Sequence, residues 1–359
     1  MIMVRMEIGV ILGDVRTSLS PSEHLDNLLR QVEAAQRAGV TYVTIGQHYL
    51  YGDLRWLQPI PTLARLAAEL DDSVTLATTI VQVPLFHPVA LAEDLATLDI
   101  LCRGRLVVGA GAGYRRDEFD AFGIDFSARF AMLDESLTLI KQLWTESAVT
   151  FSGRFWSVTD VRPHIRPWQQ PHPPIWIGAM TETGVRRSAR LGDGWPITPE
   201  TRVPDIVRLL SVYEDERTRL GRPQVRHPLR HEIVPAATTE LAYSRFEQMA
   251  KARLLAYAQR SLETRDAAEI DADFRALAEK EAFLGTPSEC VEQIASLAAI
   301  APIDPILVRA QWPDMTGDDV VAYLDDLGRD IVPAVREITS VPRVVRSRDL
   351  APQTADLET

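Results

Sequence analysis

Cysteine is nearly missing. The 359 residues hold two, Cys102 and Cys290, far apart and in no CxxC pair. That excludes a disulfide framework, and it suits a reducing cytoplasm. No apolar run approaches the roughly 18 residues of a membrane span, so no membrane partner is expected. The opening segment has only a short apolar run, broken by Glu7 and Asp14. It reads as a first strand, not as a signal peptide. Positive charge is in deficit: 38 Lys and Arg against 50 Asp and Glu give a net charge of -12. Such a chain repels phosphate backbones, so nucleic acid is not an expected partner. HExxH, GxSxG and a Walker loop are absent, which leaves hydrolase and nucleotidase readings without support. His227 and His231 stand four apart, but Pro228 argues against one helix carrying both, and no metal site is expected.

What is present is a repeated alternation. Strand-like runs begin near 7, 41, 74 and 105, a period of about 33 residues, and each is followed by a helical pattern. In the first unit Ser20, Pro21 and Glu23 form the signature of a capping box, and Gly39 marks the helix end. Later strands are expected at 173–179, 193–198, 229–236 and 304–310, with a Pro- and aromatic-rich loop over 149–173. Parallel strands joined by crossover helices follow from this order. The fold class is α/β, and the expected architecture is a (β/α)8 TIM barrel with a helical insertion, about 238–282, before the last strand. A doubly wound sheet is the alternative. Residues 1–340 form one expected domain, and 341–359 a polar, flexible tail.

The stretch "RLVVGAGAGYRRDEF" (105–119) brings three glycines to the end of the fourth strand. Their spacing is GxGxG, not the GxGxxG of a dinucleotide site, and that fingerprint belongs at a first strand. A strand end without side chains, open to a flat cofactor, is the better reading. The second strand ends in "GQHY", which puts His48 at the same rim, where barrel enzymes carry catalytic groups. "IWIGAMTETGVRR" runs a strand straight into a helix. Thr181 and Thr183 can cap it, and free N–H groups near Thr183 and Gly184 would face an anion.

Three stretches carry a resemblance: "TIVQVPLFHPVALAEDLATLDILCRGRLVVGAGAGYRRDEFDAFGID", "PPIWIGAMTETGVRRSARLGDGW" and "FLGTPSECVEQI". Over roughly residues 5–338 the chain resembles the bacterial luciferase-like monooxygenases, flavin or deazaflavin enzymes on a TIM barrel. The resemblance implies a non-prolyl cis peptide at Thr79–Ile80 behind the flavin ring, with Gly111 and Gly113 lining that ring. It implies that His48 is the functional histidine. Ala179, Met180, Thr181, Thr183 and Gly184 would form the phosphate end, and Thr198 would lie at the mouth of the sixth strand. Ala112 stands where luciferase has a phosphate-binding arginine, so Arg115 or Arg187 is the candidate substitute. Gln47 replaces an acid found in luciferase and in deazaflavin relatives, which speaks against bioluminescence and for FMN.

The implied function is a monooxygenase that uses reduced FMN and O2 to oxygenate a small organic substrate, with a separate flavin reductase as partner. A deazaflavin-dependent hydride-transfer enzyme is the alternative, and a non-catalytic flavin-binding subunit a further one. A cytoplasmic homodimer is expected by analogy.

Overall fold

The structure, a computed structural model, describes residues 5–16, 18–52, 54–260 and 274–345. Its main sheet is built from β1 (Ile8–Leu12), β2 (Tyr42–Ile45), β3 (Thr75–Thr78), β4 (Leu106–Gly111), β5 (Ile175–Ile177), β6 (His227–Arg230) and β7 (Ile303–Arg309). The ladder order is β5-β4-β3-β2-β1-β7-β6, with the short strand Val81–Gln82 also paired to β4. All these ladders are parallel. The first strand lies between the second and the last, which a doubly wound sheet does not do.

The sheet is strongly curled. β2 and β5 are three strands apart, roughly 14 Å in a flat sheet. Yet Tyr42 of β2 and Trp176 of β5 stack with ring centres 6.0 Å apart. They close over a small inner cluster of Ile11, Ala77, Val107 and Leu307. The opposite face, with Val10, Val43, Leu76, Val108 and Ile306, joins the large core beneath the helices. Side chains alternate along each strand, so the next inward layer toward the carboxyl ends is Thr44, Thr79, Gly109, Gly111 and Arg309.

Where a sixth strand was expected at 193–198 the chain makes only single parallel bridges, Trp176 to Gly194 and Ile197 to Leu229. The expected strand at 229–236 divides. Its first part belongs to β6, while Glu232–Pro235 leaves the main sheet to pair with Ala282–Gly285. The presumed loop over 149–173 contains a hairpin, Val149–Ser152 with Ser157–Val161.

The helix Pro21–Arg37 begins with the expected capping box of Ser20 and Glu23, and Pro287–Ala298 begins with another, from Thr286 and Glu289. Each box satisfies two backbone N–H groups that a helix start leaves over. In the insertion, Thr239–Arg260 and Phe274–Glu281 are helical, and 261–273 lie outside the described residues. Of the expected tail, 341–345 dock on the body: Val341 and Val345 donate to the Ala298 and Ile300 carbonyls. Residues 346–359 lie outside the description.

Candidate active site

The glycines of β4 answer first to their own neighbour. Beyond Thr78 the chain bulges through a cis peptide at Thr79–Ile80, the position the resemblance implies. A Cβ on Gly109 would lie 2.0 Å from the Thr78 carbonyl oxygen, and one on Gly111 would lie 1.9 Å from Cδ1 of Ile80. Gly113 takes φ +77°, which side chains disfavour, and a Cβ there would meet Gln82. The run is therefore bare because the bulge packs into it. Gly178, at the end of β5, differs: its nearest neighbour is the Ala110 carbonyl oxygen at 3.8 Å, so the wall there is open. Inside the rim, Thr79 donates its hydroxyl to that of Thr44 at 2.9 Å.

His48 follows β2 and is buried. Its Nδ1 lies 3.0 Å from Glu118 Oε1, and its Nε2 lies 3.3 Å from the Tyr114 hydroxyl. Trp56 meets the imidazole edge-on with ring centres 4.8 Å apart, and Tyr51 leans on it at 4.9 Å. Glu118, on the short helix Arg116–Phe122, is 1% exposed. Its Oε1 also accepts the Tyr49 amide at 2.8 Å. Burial pushes this carboxyl up, but the hydrogen bond and charge of His48, the Tyr49 amide and the Gln82 side chain outweigh it and hold the group below the ordinary glutamate range. Oε2 of Glu118 and Oε1 of Gln82 are both buried without a partner. A cleft of about 430 Å³ opens beside His48, lined also by Tyr51, Arg55, Trp56 and Gln58.

The predicted phosphate end sits where β5 passes into the helix Glu182–Leu191. Thr181 is its N-cap and accepts from the Gly184 amide at 3.2 Å. Met180, Thr181 and Thr183 are exposed, while Gly184 is buried. Ala179 is held in place by Trp195, whose Nε1 donates to its carbonyl at 2.9 Å. Thr198 is half-buried with its hydroxyl 3.4 Å from that of Thr201.

Both candidate cations are already committed. Arg115 is buried, pairs with Asp117 and Glu118, and lies over the Tyr51 ring. Arg187 pairs with Asp134. Gln47 is likewise structural, since its Oε1 accepts the Gln82 amide at 2.8 Å and its Nε2 donates to Gln58 and Tyr49.

Sequence reasoning missed Glu118 and Tyr114. It also missed a buried polar network on the far rim, where Arg309 pairs with Asp14 and the Arg309 amide donates to Glu232 at 2.8 Å. Burial pushes His227 and His231 down to about 3, so both are neutral. Among the described residues no group of three or more His, Cys, Asp or Glu is placed to hold a metal ion, and no helix is long and apolar enough to cross a membrane. Cys102 and Cys290 are buried thiols pushed up to about 12 by desolvation. A larger cleft, about 1270 Å³, lies between Arg202, His231, Phe283 and Gln293, and none of the expected cofactor residues lines it.

A family model described as luciferase-like monooxygenase matches residues 6–302. An F420-dependent glucose-6-phosphate dehydrogenase of Intrasporangium calvum is 28% identical over 338 residues, 88% of this chain and 95% of that protein. The crystal structure of the monooxygenase RslO1 from Streptomyces bottropensis is 26% identical with a TM-score of 0.79, covering 91% of this chain and 99% of that one. The oxygenating constituent of 3,6-diketocamphane monooxygenase from Pseudomonas putida, solved with FMN, has a TM-score of 0.76 at 19% identity and covers 94% and 100%. That likeness concerns the fold. The chain spans only 51% and 61% of the length of the first curated relatives it matches.

Proposed function

The chain belongs to the luciferase-like monooxygenase family and is an oxidoreductase, and from that membership we propose a flavin-dependent monooxygenase. It takes reduced FMN from a separate reductase and uses O2 to oxygenate a small organic substrate. The single observation that carries this reading is the inner wall at the carboxyl ends of β3, β4 and β5. It is open at Gly178 and formed elsewhere by the Thr79–Ile80 bulge, whose Ile80 side chain fills the space in front of Gly111, with the buried His48–Glu118 pair at its edge. A planar ring fits such a wall.

In this reading Thr79, Ile80, Gly111 and Gly113 hold the ring. Ala179, Met180, Thr181, Thr183 and Gly184 receive the phosphate, and Thr198 closes the far side. With Arg115 and Arg187 engaged elsewhere, the phosphate is met by the amides at the start of Glu182–Leu191, whose partial positive charge favours an anion. Reduced FMN, when bound, supplies the electrons that activate O2. His48, framed by the rings of Tyr51, Trp56 and Tyr114, accepts or returns a proton at the rim.

A second reading, hydride transfer with a deazaflavin, is favoured by one observation: the F420-dependent relative matches over 88% of this chain. Titration of the purified protein with FMN and with F420, followed by oxygen-electrode measurements with each reduced cofactor, separates the two. Tighter binding of FMN and O2 uptake that depends on the substrate support the monooxygenase. Tighter binding of F420 with no O2 requirement replaces it by the second reading.

A further inference from the structure

We propose that Tyr114, His48 and Glu118 form a directed proton relay, in which Glu118 fixes the imidazole tautomer and the Tyr114 phenol is the end presented to the mouth. The proposal rests on His48 handling protons at the rim, but not on which cofactor binds.

The argument starts from Glu118. Its Oε1 receives three donors: the Tyr49 amide at 2.8 Å, the Arg115 guanidinium at 3.4 Å, and the His48 ring at 3.0 Å from Nδ1. A carboxylate held ionised accepts only, so the ring nitrogen facing it carries the hydrogen. Nδ1–H being fixed, the neutral ring has its lone pair on Nε2. The group opposite Nε2 is the Tyr114 hydroxyl at 3.3 Å, which must then donate. Both ends of the imidazole are thereby given a direction. This is how a second residue sets the role of a histidine in other enzymes.

His48 is itself 8% exposed, whereas Tyr114 is half-buried and directly follows Gly113 at the end of β4. The groups facing the imidazole are Glu118 and Tyr114 from the segment after β4, and Tyr51 and Trp56 from the segment after β2, while Arg55 lines the same cleft. Arg55 is anchored to the Leu19 carbonyl at 2.7 Å. The relay balances without another reactant. A proton leaves a hydroxyl-bearing molecule at the mouth and joins the phenol oxygen, while the phenol proton passes to Nε2. The imidazolium formed is neutralised by Glu118, and the reverse sequence returns the proton. Glu118 is accordingly a positioning residue, and Tyr114 the candidate catalytic one.

The test is nitrogen NMR on the cofactor-free protein with 15N-labelled histidine, at a pH where His48 is neutral. The expected wild-type signature is the Nδ1–H tautomer with Nε2 as a hydrogen-bonded acceptor. Glu118→Leu, which offers the ring no acceptor, should abolish the tautomer preference. Tyr114→Phe should keep the tautomer and shift the Nε2 resonance. A wild-type Nε2–H tautomer overturns the proposal, even if Glu118→Leu does not fold. So does a tautomer unchanged in Glu118→Leu, or an Nε2 resonance unmoved in Tyr114→Phe. None of these readouts uses FMN or F420, so failure here is distinct from failure of the cofactor assignment.

Discussion

Gly111 and Ile80 compete for one space: a side chain on the glycine would start 1.9 Å from the Cδ1 end of the isoleucine. The neighbouring Gly109 faces a harder obstacle, the Thr78 carbonyl oxygen at 2.0 Å. The two positions therefore differ in what can give way. In Gly111→Ala the isoleucine can change rotamer, and the cost is about 1–3 kcal/mol of stability. Adding Ile80→Ala should recover a large part of it, a coupling that a double-mutant cycle in thermal or denaturant unfolding measures. Gly109→Ala should cost more and show no such rescue, because backbone cannot step aside. Strictly additive losses at 111 and 80 would mean that this contact does not explain the glycine.

The start of Glu182–Leu191 offers a charge test of the cofactor's phosphate. Thr183 is exposed in the first turn. Thr183→Glu should leave the unliganded protein equally stable or gain roughly 0.3–1 kcal/mol from the helix dipole. The same carboxylate should weaken FMN about ten-fold, through like-charge repulsion that salt reduces. Riboflavin, which lacks the phosphate, should bind both proteins alike. Fluorescence titration of the two ligands reads the difference. Equal loss for both ligands would place the phosphate elsewhere.

At the other end of the sheet, burial pushes the Asp304 carboxyl from 3.8 up to about 7, and the nearby charge of Glu7 adds to this. The folded protein thus holds a proton that the unfolded chain releases. Stability from this group is complete below about pH 4 and is lost as the pH rises through about 7. Asp304→Asn keeps an acceptor for the Glu7 amide, now 2.9 Å from Asp304 Oδ1, and removes the titration. Its stability relative to wild type should therefore rise across that window, by an amount on the order of a few kcal/mol. Urea unfolding at a series of pH values measures it. Parallel pH curves for the two proteins would remove Asp304 from the account. Glu7 is also raised by burial, so some slope should persist in the variant.

The local parts of this structure were readable from sequence because their causes are local. The Ser20–Glu23 and Thr286–Glu289 boxes need residues three apart, and strand starts repeat because each βα unit solves the same packing problem. The divided strand at 229–236 was not readable, because its second half follows a partner, Ala282–Gly285, some fifty residues on. The site divides in the same way. His48 and the glycines stand out at strand ends. Glu118 and Tyr114 do not, since they sit 70 and 66 residues from the histidine they contact, within a charged run that looks like solvent-facing surface. Arg115 misled for a related reason. In sequence it is a cation near a glycine loop, and in space it belongs to Glu118 and Asp117.

The pairing of Ile8 with Ile306 sets an order on synthesis. The first strand leaves the ribosome with one edge unpaired, and the segment that covers it is translated roughly 15–60 seconds later at ordinary elongation rates. Through that interval the nascent polypeptide carries an open hydrogen-bonding edge, the feature through which chains aggregate. A message that stalls before β7 would leave a product whose sheet edge is still sticky, so yield in a foreign host should respond to chaperone supply and to slow codons upstream of that strand.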